Sequence, residues 1–146
     1  MASNNNIYNH CARIRDSIDK AEEMLHSKSP ITHHYFPVFD ITDYPHWYYE
    51  TFTQLAGVFK VKIFINSHSK SDGFWVAGRD NLVQHVIKIM QSIINKVQKT
   101  SKRHHALAIY NRCLDNLLIR IKDENYAGLL KEYCQTSFFK SLKLLT

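Results

Sequence analysis

Residues 59–66 restrict the fold most, because they alternate apolar and mostly polar side chains with the period of a β-strand. Phe59, Val61, Ile63 and Ile65 fall on one side, which we expect to face a core. A polar turn over residues 67–72 leads to residues 74–77, whose aromatic and β-branched side chains suit a second strand. The sequence therefore predicts an antiparallel hairpin over about residues 59–77.

Segments before and after this hairpin have apolar residues at helical spacing. This spacing predicts helices over about residues 4–27, 46–58, 80–99 and 102–122, and one or two more over about residues 124–144. The helix over 80–99 has two adjacent apolar stripes, which indicates a central position. Residues 30–45 contain all three prolines and are expected to form an extended connector or a short edge strand. The predicted class is α+β: a helix-rich single domain with one hairpin packed against three to five helices.

The length and composition of the chain agree with one domain. A chain of 146 residues, 45% of them hydrophobic, matches one ordinary core. No apolar run approaches the roughly 18 residues that span a bilayer. Three cysteines without a C-x-x-C pair suit thiols in a reducing compartment. We therefore expect a cytoplasmic chain without a membrane segment, in which an acidic helical part of about residues 1–45 precedes a basic α-β-β-α-α part of about residues 46–146.

Charge is distributed unevenly along the chain. Residues 1–58 carry four basic residues against seven acids, whereas residues 59–146 carry fifteen basic residues against six acids. A segregated positive charge attracts phosphate backbones. We therefore expect the second part to meet a negatively charged partner.

Two basic segments are candidate binding surfaces. Lys60, Lys62 and Phe64 share the strand face opposite the core, where Trp75 could join them, and Lys70 lies in the turn that follows. Exposed lysines beside an aromatic ring suit a nucleic-acid backbone and its bases. The alternative is an edge strand whose lysines block aggregation and whose Phe64 is covered by a helix. The second segment joins two predicted helices and consists of Lys96, Lys99, Lys102 and Arg103, although basic residues there also complement a helix dipole.

Catalytic and metal-binding patterns are weak. Gly73 and Gly78 have the spacing of a phosphate-binding loop, but Arg79 and Asp80 follow where that loop requires Lys and Ser or Thr. Nine histidines include the pairs 33–34 and 104–105, yet adjacent helical residues point about 100° apart and no H-x-x-x-H spacing occurs. Cys11 and Cys113 lie on or beside apolar stripes and are expected to be packing residues. We expect no catalytic residue, no metal and no cofactor.

The hairpin and the helices after it also resemble a known family. The segments LAGVFKVKIF, FWVAGRDNLVQHVIKIMQSII and ALAIYNRCLDNLLIRI are similar to uncharacterised bacterial and bacteriophage proteins, over about residues 46–122. In those proteins a short helical domain of unknown function precedes a helix, a hairpin and two long helices. The family's junction between hairpin and helix corresponds to Phe74, Val76, Gly78, Arg79 and Asp80. The resemblance implies a phage or mobile-element setting and no established activity.

Two functional hypotheses result. The first is a small, non-catalytic accessory protein of a phage or mobile element that binds nucleic acid or a nucleoprotein through its basic part. The second is a phage-encoded stoichiometric inhibitor of a host nucleic-acid-binding defence enzyme, of the anti-CRISPR or anti-restriction type. In that case the acids of the first helix, Asp16, Asp19, Glu22 and Glu23, would imitate phosphates.

Overall fold

Six helices and four strands make up the described parts of the chain. The computed structural model describes residues 4–37, 45–66, 73–115, 117, 124–135 and 142–144. In chain order the elements are α1 (Asn4–Asp16), α2 (Ile18–His26), β1 (Ile31–Pro37), α3 (Pro45–Val58), β2 (Lys62–Asn66), β3 (Gly73–Arg79), α4 (Asp80–Gln98), α5 (Arg103–Asp115), α6 (Glu124–Cys134) and β4 (Leu142–Leu144). The predicted α+β class is confirmed.

The sheet contains the predicted hairpin and extends it on both sides. Its strand order is β1-β3-β2-β4, and every neighbouring pair is antiparallel. β2 pairs with β3 in a register that sets Phe64 opposite Trp75 and Lys62 opposite Ala77. The proline-containing segment forms edge strand β1, as one of its two interpretations predicted.

The two faces of the sheet have different neighbours. Phe36 and Phe74 lie on one face, where both rings contact Phe52 of α3. His33 and Trp75 lie on the other face. There His33 shares a hydrogen bond with the Tyr133 hydroxyl of α6. Helices therefore approach both faces, which explains why most of β3 is buried.

Helix α4 begins where β3 ends, at the predicted junction. Its predicted central position is confirmed, because six of its apolar side chains are buried: Leu82, Val83, Val86, Met90, Ile93 and Val97. Asp80, its first residue, accepts hydrogen bonds from the Thr32 hydroxyl at 2.9 Å and from His34 Nε2 at 2.8 Å. The hydrogen bonds from His34 and Thr32 hold the pKa of Asp80 below its usual value. This contact fixes β1 to the start of α4.

Two predictions at the ends of the chain are wrong. The first helix is not continuous over 4–27, because Ser17 separates α1 from α2. Its hydroxyl donates to the Ile14 carbonyl at 2.6 Å, and such local hydrogen bonds compete with regular helix. Of the one or two helices predicted over 124–144, α6 is present and ends at Cys134, but residues 142–144 form β4 beside β2 instead of helix. Pairing with a strand distant in sequence overrides the local apolar spacing there.

One core connects the elements. Its buried side chains come from α1 through α6 and from β1, β2 and β3. Among the described residues, no helix is both long enough and apolar enough to cross a membrane.

Candidate ligand-binding surfaces

Helix α4 carries a row of polar and basic residues opposite its buried stripe. Lys88, Ser92, Lys96 and Lys99 follow one another at spacings of four, four and three, which places them on one helical face. Lys88 and Lys99 are exposed and Lys96 is half-buried. A rise of about 1.5 Å per residue spreads these cations over roughly 16 Å.

Helix α1 approaches this row through His10. His10 contacts the Ser92 hydroxyl through Nε2, at 2.9 Å, and the Tyr110 hydroxyl through Nδ1. Neutral imidazole has one donor and one acceptor, and either hydroxyl can take the complementary role. Burial, with Arg13 and Lys96 nearby, lowers the pKa of His10 to about 4. His10 is therefore a neutral link between α1, α4 and α5 at pH 7.

A cleft of about 300 Å³ lies between α1 and α4. Among the described residues it is lined by His10, Arg13, Ile14, Ser17, His85, Lys88, Ile89 and Ser92. None of these is an acid. Burial lowers the pKa of His85, and Lys20 and Lys88 lower it further. Positive charge from both parts of the sequence therefore collects around the cleft.

The basic turn follows α4 directly in the chain. Lys99 caps the end of the helix, Lys102 is exposed, and the half-buried Arg103 begins α5. We give the name α4 ridge to six cations of α1, α4 and the turn that leads into α5: Arg13, Lys88, Lys96, Lys99, Lys102 and Arg103. None of the six side chains lies within 4.0 Å of a carboxylate among the residues that the structure describes.

A larger and mostly apolar pocket lies elsewhere, beside α6. We name this cavity of about 740 Å³ the α6 pocket. Its described lining is Leu25, Ala56, Gly57, Lys60, Val61, Lys62, Phe64, Tyr126, Ala127, Leu130, Lys131, Cys134 and Gln135. Burial raises the pKa of the Cys134 thiol, and Lys62 opposes that rise. Among the described residues, the pocket has no lining residue in common with the α1–α4 cleft.

Lys60 stands at the end of α3 rather than in the strand where it was predicted. Its φ of 56° is left-handed, and the Val61 N–H donates to the Ala56 carbonyl at 3.0 Å. This pattern is a Schellman-type helix end, in which the left-handed position is usually glycine. The Tyr126 hydroxyl donates to the Lys60 carbonyl at 2.7 Å and accepts the Arg79 N–H at 3.2 Å. One tyrosine thereby joins α6 to α3 and β3.

The expected exposure of Phe64 is wrong. Phe64 is only 4% exposed and lies in the α6 pocket. It shares the sheet face of Lys62 and Trp75, as the alternation predicted, but α6 approaches that face. The alternative interpretation, with a helix over Phe64, therefore holds, although β2 is an inner strand rather than an edge.

The remaining candidates fall into two groups. Lys60 and Lys62 line the α6 pocket, whereas Lys96, Lys99, Lys102 and Arg103 belong to the α4 ridge. Lys70 lies outside the described residues. The sequence reasoning missed Arg13, Lys88 and Lys131. The spacing of Lys88 from Ser92 and Lys96 was a usable signal, but nothing in the sequence indicated that Arg13 would join them.

The α+β class rests on the structure alone. Comparisons with protein families, with curated proteins and with solved structures found no match for this chain. The resemblance to bacterial and bacteriophage proteins therefore stays a prediction. Within the described residues, no group of three or more His, Cys, Asp or Glu side chains is placed to hold a metal ion.

Proposed function

We propose that the chain binds a nucleic-acid backbone, without catalysis, through the α4 ridge. The observation that carries this proposal is the set of six cations on α1, α4 and the turn into α5, with no carboxylate of the described residues in contact. Neutralising phosphates releases condensed counterions, so several adjacent cations give affinity without a base-specific contact. The set suits a polyanion better than one small anion, because its cations extend over about four turns of helix and turn.

This proposal does not include the base stacking on Phe64 that the sequence predicted. Phe64 is buried, so base stacking on that ring does not contribute. Lys60 and Lys62 are assigned to the α6 pocket instead. Binding through the ridge is therefore expected to depend strongly on salt and weakly on base sequence.

A titration that varies salt tests the proposal. Labelled single-stranded DNA, duplex DNA and RNA are titrated by fluorescence anisotropy between roughly 20 and 200 mM salt. Removing three ridge charges with Lys88→Gln/Lys96→Gln/Lys99→Gln is expected to reduce the slope of log affinity against log salt by about 2–3. Lys60→Asn/Lys62→Gln/Lys131→Gln removes the same charge from the pocket and is expected to leave the slope unchanged. No binding to any of the three nucleic acids at about 20 mM salt rejects the proposal.

A second candidate is a stoichiometric inhibitor of a nucleic-acid-binding host enzyme. Its favouring observation is that Asp16, Glu22 and Glu23 are all exposed on α1 and α2. Arg15 and Lys20, exposed on the same helices, dilute that acidic surface. A pull-down from bacterial lysate after nuclease treatment separates the two functions, because an inhibitor keeps its protein partner. Asp16→Asn/Glu22→Gln/Glu23→Gln is expected to release that partner only if the acids form the contact.

A further inference from the structure

The α6 pocket has the size and chemistry of a small-molecule site. Its volume of about 740 Å³ falls within the range of roughly 300–1,000 Å³ that is usual for ligand pockets. Leu25, Val61, Phe64 and Leu130 are buried side chains that contribute to its wall. An apolar wall favours a ligand with hydrocarbon, because burial of that hydrocarbon removes apolar surface from water.

Positive charge accompanies this apolar wall. Lys60, Lys62 and Lys131 all line the pocket, and no Asp or Glu occurs among its described lining residues. None of the three ammonium groups lies within 4.0 Å of a described carboxylate. Lysine stems pack along apolar surface while their ammonium groups remain near water, so these charges are suited to the entrance of the pocket.

A tyrosine and a glycine shape the pocket. Tyr126 fixes α6 to the carbonyl of Lys60 and to the N–H of Arg79, at the lengths given above. Gly57 lines the pocket from α3, and a Cβ added there would meet nothing within 4 Å. The absence of a side chain at this helical position therefore leaves space that any larger residue would reduce.

We propose that the α6 pocket binds an amphipathic carboxylate, such as a medium- or long-chain fatty acid. The hydrocarbon chain lies against the apolar wall of the pocket, and the carboxylate is neutralised by the lysines. This assignment is independent of the α4 ridge, because the pocket and the α1–α4 cleft have no common lining residue among those described. A neutral alcohol keeps the apolar contacts but loses the charge-assisted hydrogen bonds, and a cationic amphiphile meets repulsion.

The ligand class is tested with three twelve-carbon probes below their micelle concentrations. Dodecanoate is expected to bind the full chain with one-to-one stoichiometry in calorimetry, and dodecanol at least roughly 10-fold more weakly, which corresponds to one charge-assisted contact. Dodecyltrimethylammonium is expected not to bind. Equal affinity for dodecanoate and dodecanol, or preference for the cationic probe, overturns the proposed ligand class.

Alkylation of Cys134 tests where the ligand binds, because Cys134 lines the pocket. Saturating dodecanoate is expected to slow alkylation of Cys134 by iodoacetamide at least about fivefold, measured by peptide mass spectrometry, because the bound chain excludes the reagent. Cys113, which does not line the pocket, serves as the control thiol within the same sample. Binding without protection of Cys134 places the ligand elsewhere and overturns the assignment.

Two glycine variants separate loss of the pocket from loss of the fold. Gly57→Leu adds a side chain beside the cavity and is expected to weaken dodecanoate at least about 10-fold, because the leucine occupies space that the ligand needs. Gly128→Leu makes the same change on α6 at another glycine with open space around it, which does not line the pocket, and is expected to bind normally. Both replace a helical glycine by a better helix former, so neither is expected to unfold the chain. Equal affinities in the two variants reject the site.

Discussion

The α1–α4 cleft and the α6 pocket both carry basic residues and contain no described acid, yet their remaining walls differ. The cleft is lined by two histidines and two serines and measures about 300 Å³. The pocket is lined mainly by apolar side chains and measures about 740 Å³. Positive charge alone therefore does not define a ligand. The cleft belongs to a long cationic row suited to a polyanion, whereas the pocket offers depth for one hydrocarbon chain.

The cations act on neighbouring titratable groups in the same direction in both places. Around the cleft they help to keep His10 and His85 neutral, since each histidine has two positive residues nearby in addition to its burial. In the pocket, Lys62 opposes the effect of burial on the Cys134 thiol. The same charge thus lowers the proton affinity of both kinds of group, and only the cleft couples that effect to folding near neutral pH.

Reciprocal charge reversal at the two sites is expected to have the largest effect. Lys88→Glu/Lys96→Glu/Lys99→Glu is expected to weaken nucleic-acid binding at least about 100-fold at roughly 50 mM salt, because it replaces attraction by repulsion. The same variant is expected to bind dodecanoate normally. Lys62→Glu/Lys131→Glu is expected to show the opposite pattern. Anisotropy and calorimetry on both variants check this, and loss of both ligands in either variant, with a native circular dichroism spectrum, would contradict two separate sites.

The next largest expected effect is a loss of folding stability at acid pH. The pKa of His10 is about 4 in the folded chain and about 6.5 when unfolded, so between these values the unfolded state binds more protons. His10 therefore adds stability above about pH 6.5 that is lost progressively as the pH falls toward 4. We expect a decrease of about 1–3 kcal/mol in the free energy of unfolding, measured by urea titration at several pH values.

Two histidine variants test whether that loss of stability comes from His10. His10→Asn removes one of the two described histidines with a lowered pKa and is expected to reduce the pH dependence, leaving the part due to His85. It also costs some stability at pH 7 through the lost hydrogen bonds to Ser92 and Tyr110. His26→Gln changes an exposed histidine at the end of α2 and is expected to retain the full dependence. An unchanged slope in His10→Asn would show that other groups carry the effect.

The tyrosine that holds the pocket gives a smaller effect. Tyr126→Phe leaves the Arg79 N–H and the Lys60 carbonyl without this partner and is expected to cost about 1–2 kcal/mol in the free energy of unfolding. The ring and its contact with the Arg79 guanidinium remain. Denaturant unfolding measures this cost, and Tyr8→Phe, which changes an exposed tyrosine on α1, is the matched control. Equal stability in both variants would remove the structural role assigned to the hydroxyl.

The smallest expected effect is a gain. Lys60→Gly places glycine at a left-handed position and is expected to raise the free energy of unfolding by about 1 kcal/mol. Lys60→Ala removes the same ammonium group but keeps a Cβ, so it is expected to bring no such gain. Thermal unfolding of the two variants separates backbone strain from charge. A gain in both would show that charge repulsion among the pocket lysines, rather than conformation, limits stability.

Short-range patterns predicted much of the fold. The alternation over 59–66 predicted the burial of Phe59, Val61 and Ile63, and the two stripes of α4 predicted its central place. Strand β4 was missed because a three-residue strand exists only through its pairing with β2. Lys60 was assigned to the strand because it is exposed between the buried residues Phe59 and Val61. A strand and a helix end with a left-handed residue can both give this buried–exposed–buried order.

Which residues share a surface was only partly predictable. Lys96 to Arg103 are close in the chain, so one turn brings them together. Arg13 joins them because α1 packs beside α4 through His10, and Lys131 joins Lys62 because α6 approaches the second face of the sheet.

The sequence by itself determined the hairpin, the buried helix α4 and the excess of positive charge, because each is expressed in periodicity or composition within a few turns of chain. Only the tertiary structure decided that this charge divides between a polar ridge and an apolar pocket. That division depends on contacts such as Tyr126 with Lys60 and His10 with Ser92. Such contacts join residues 66 and 82 positions apart, beyond the reach of any local pattern.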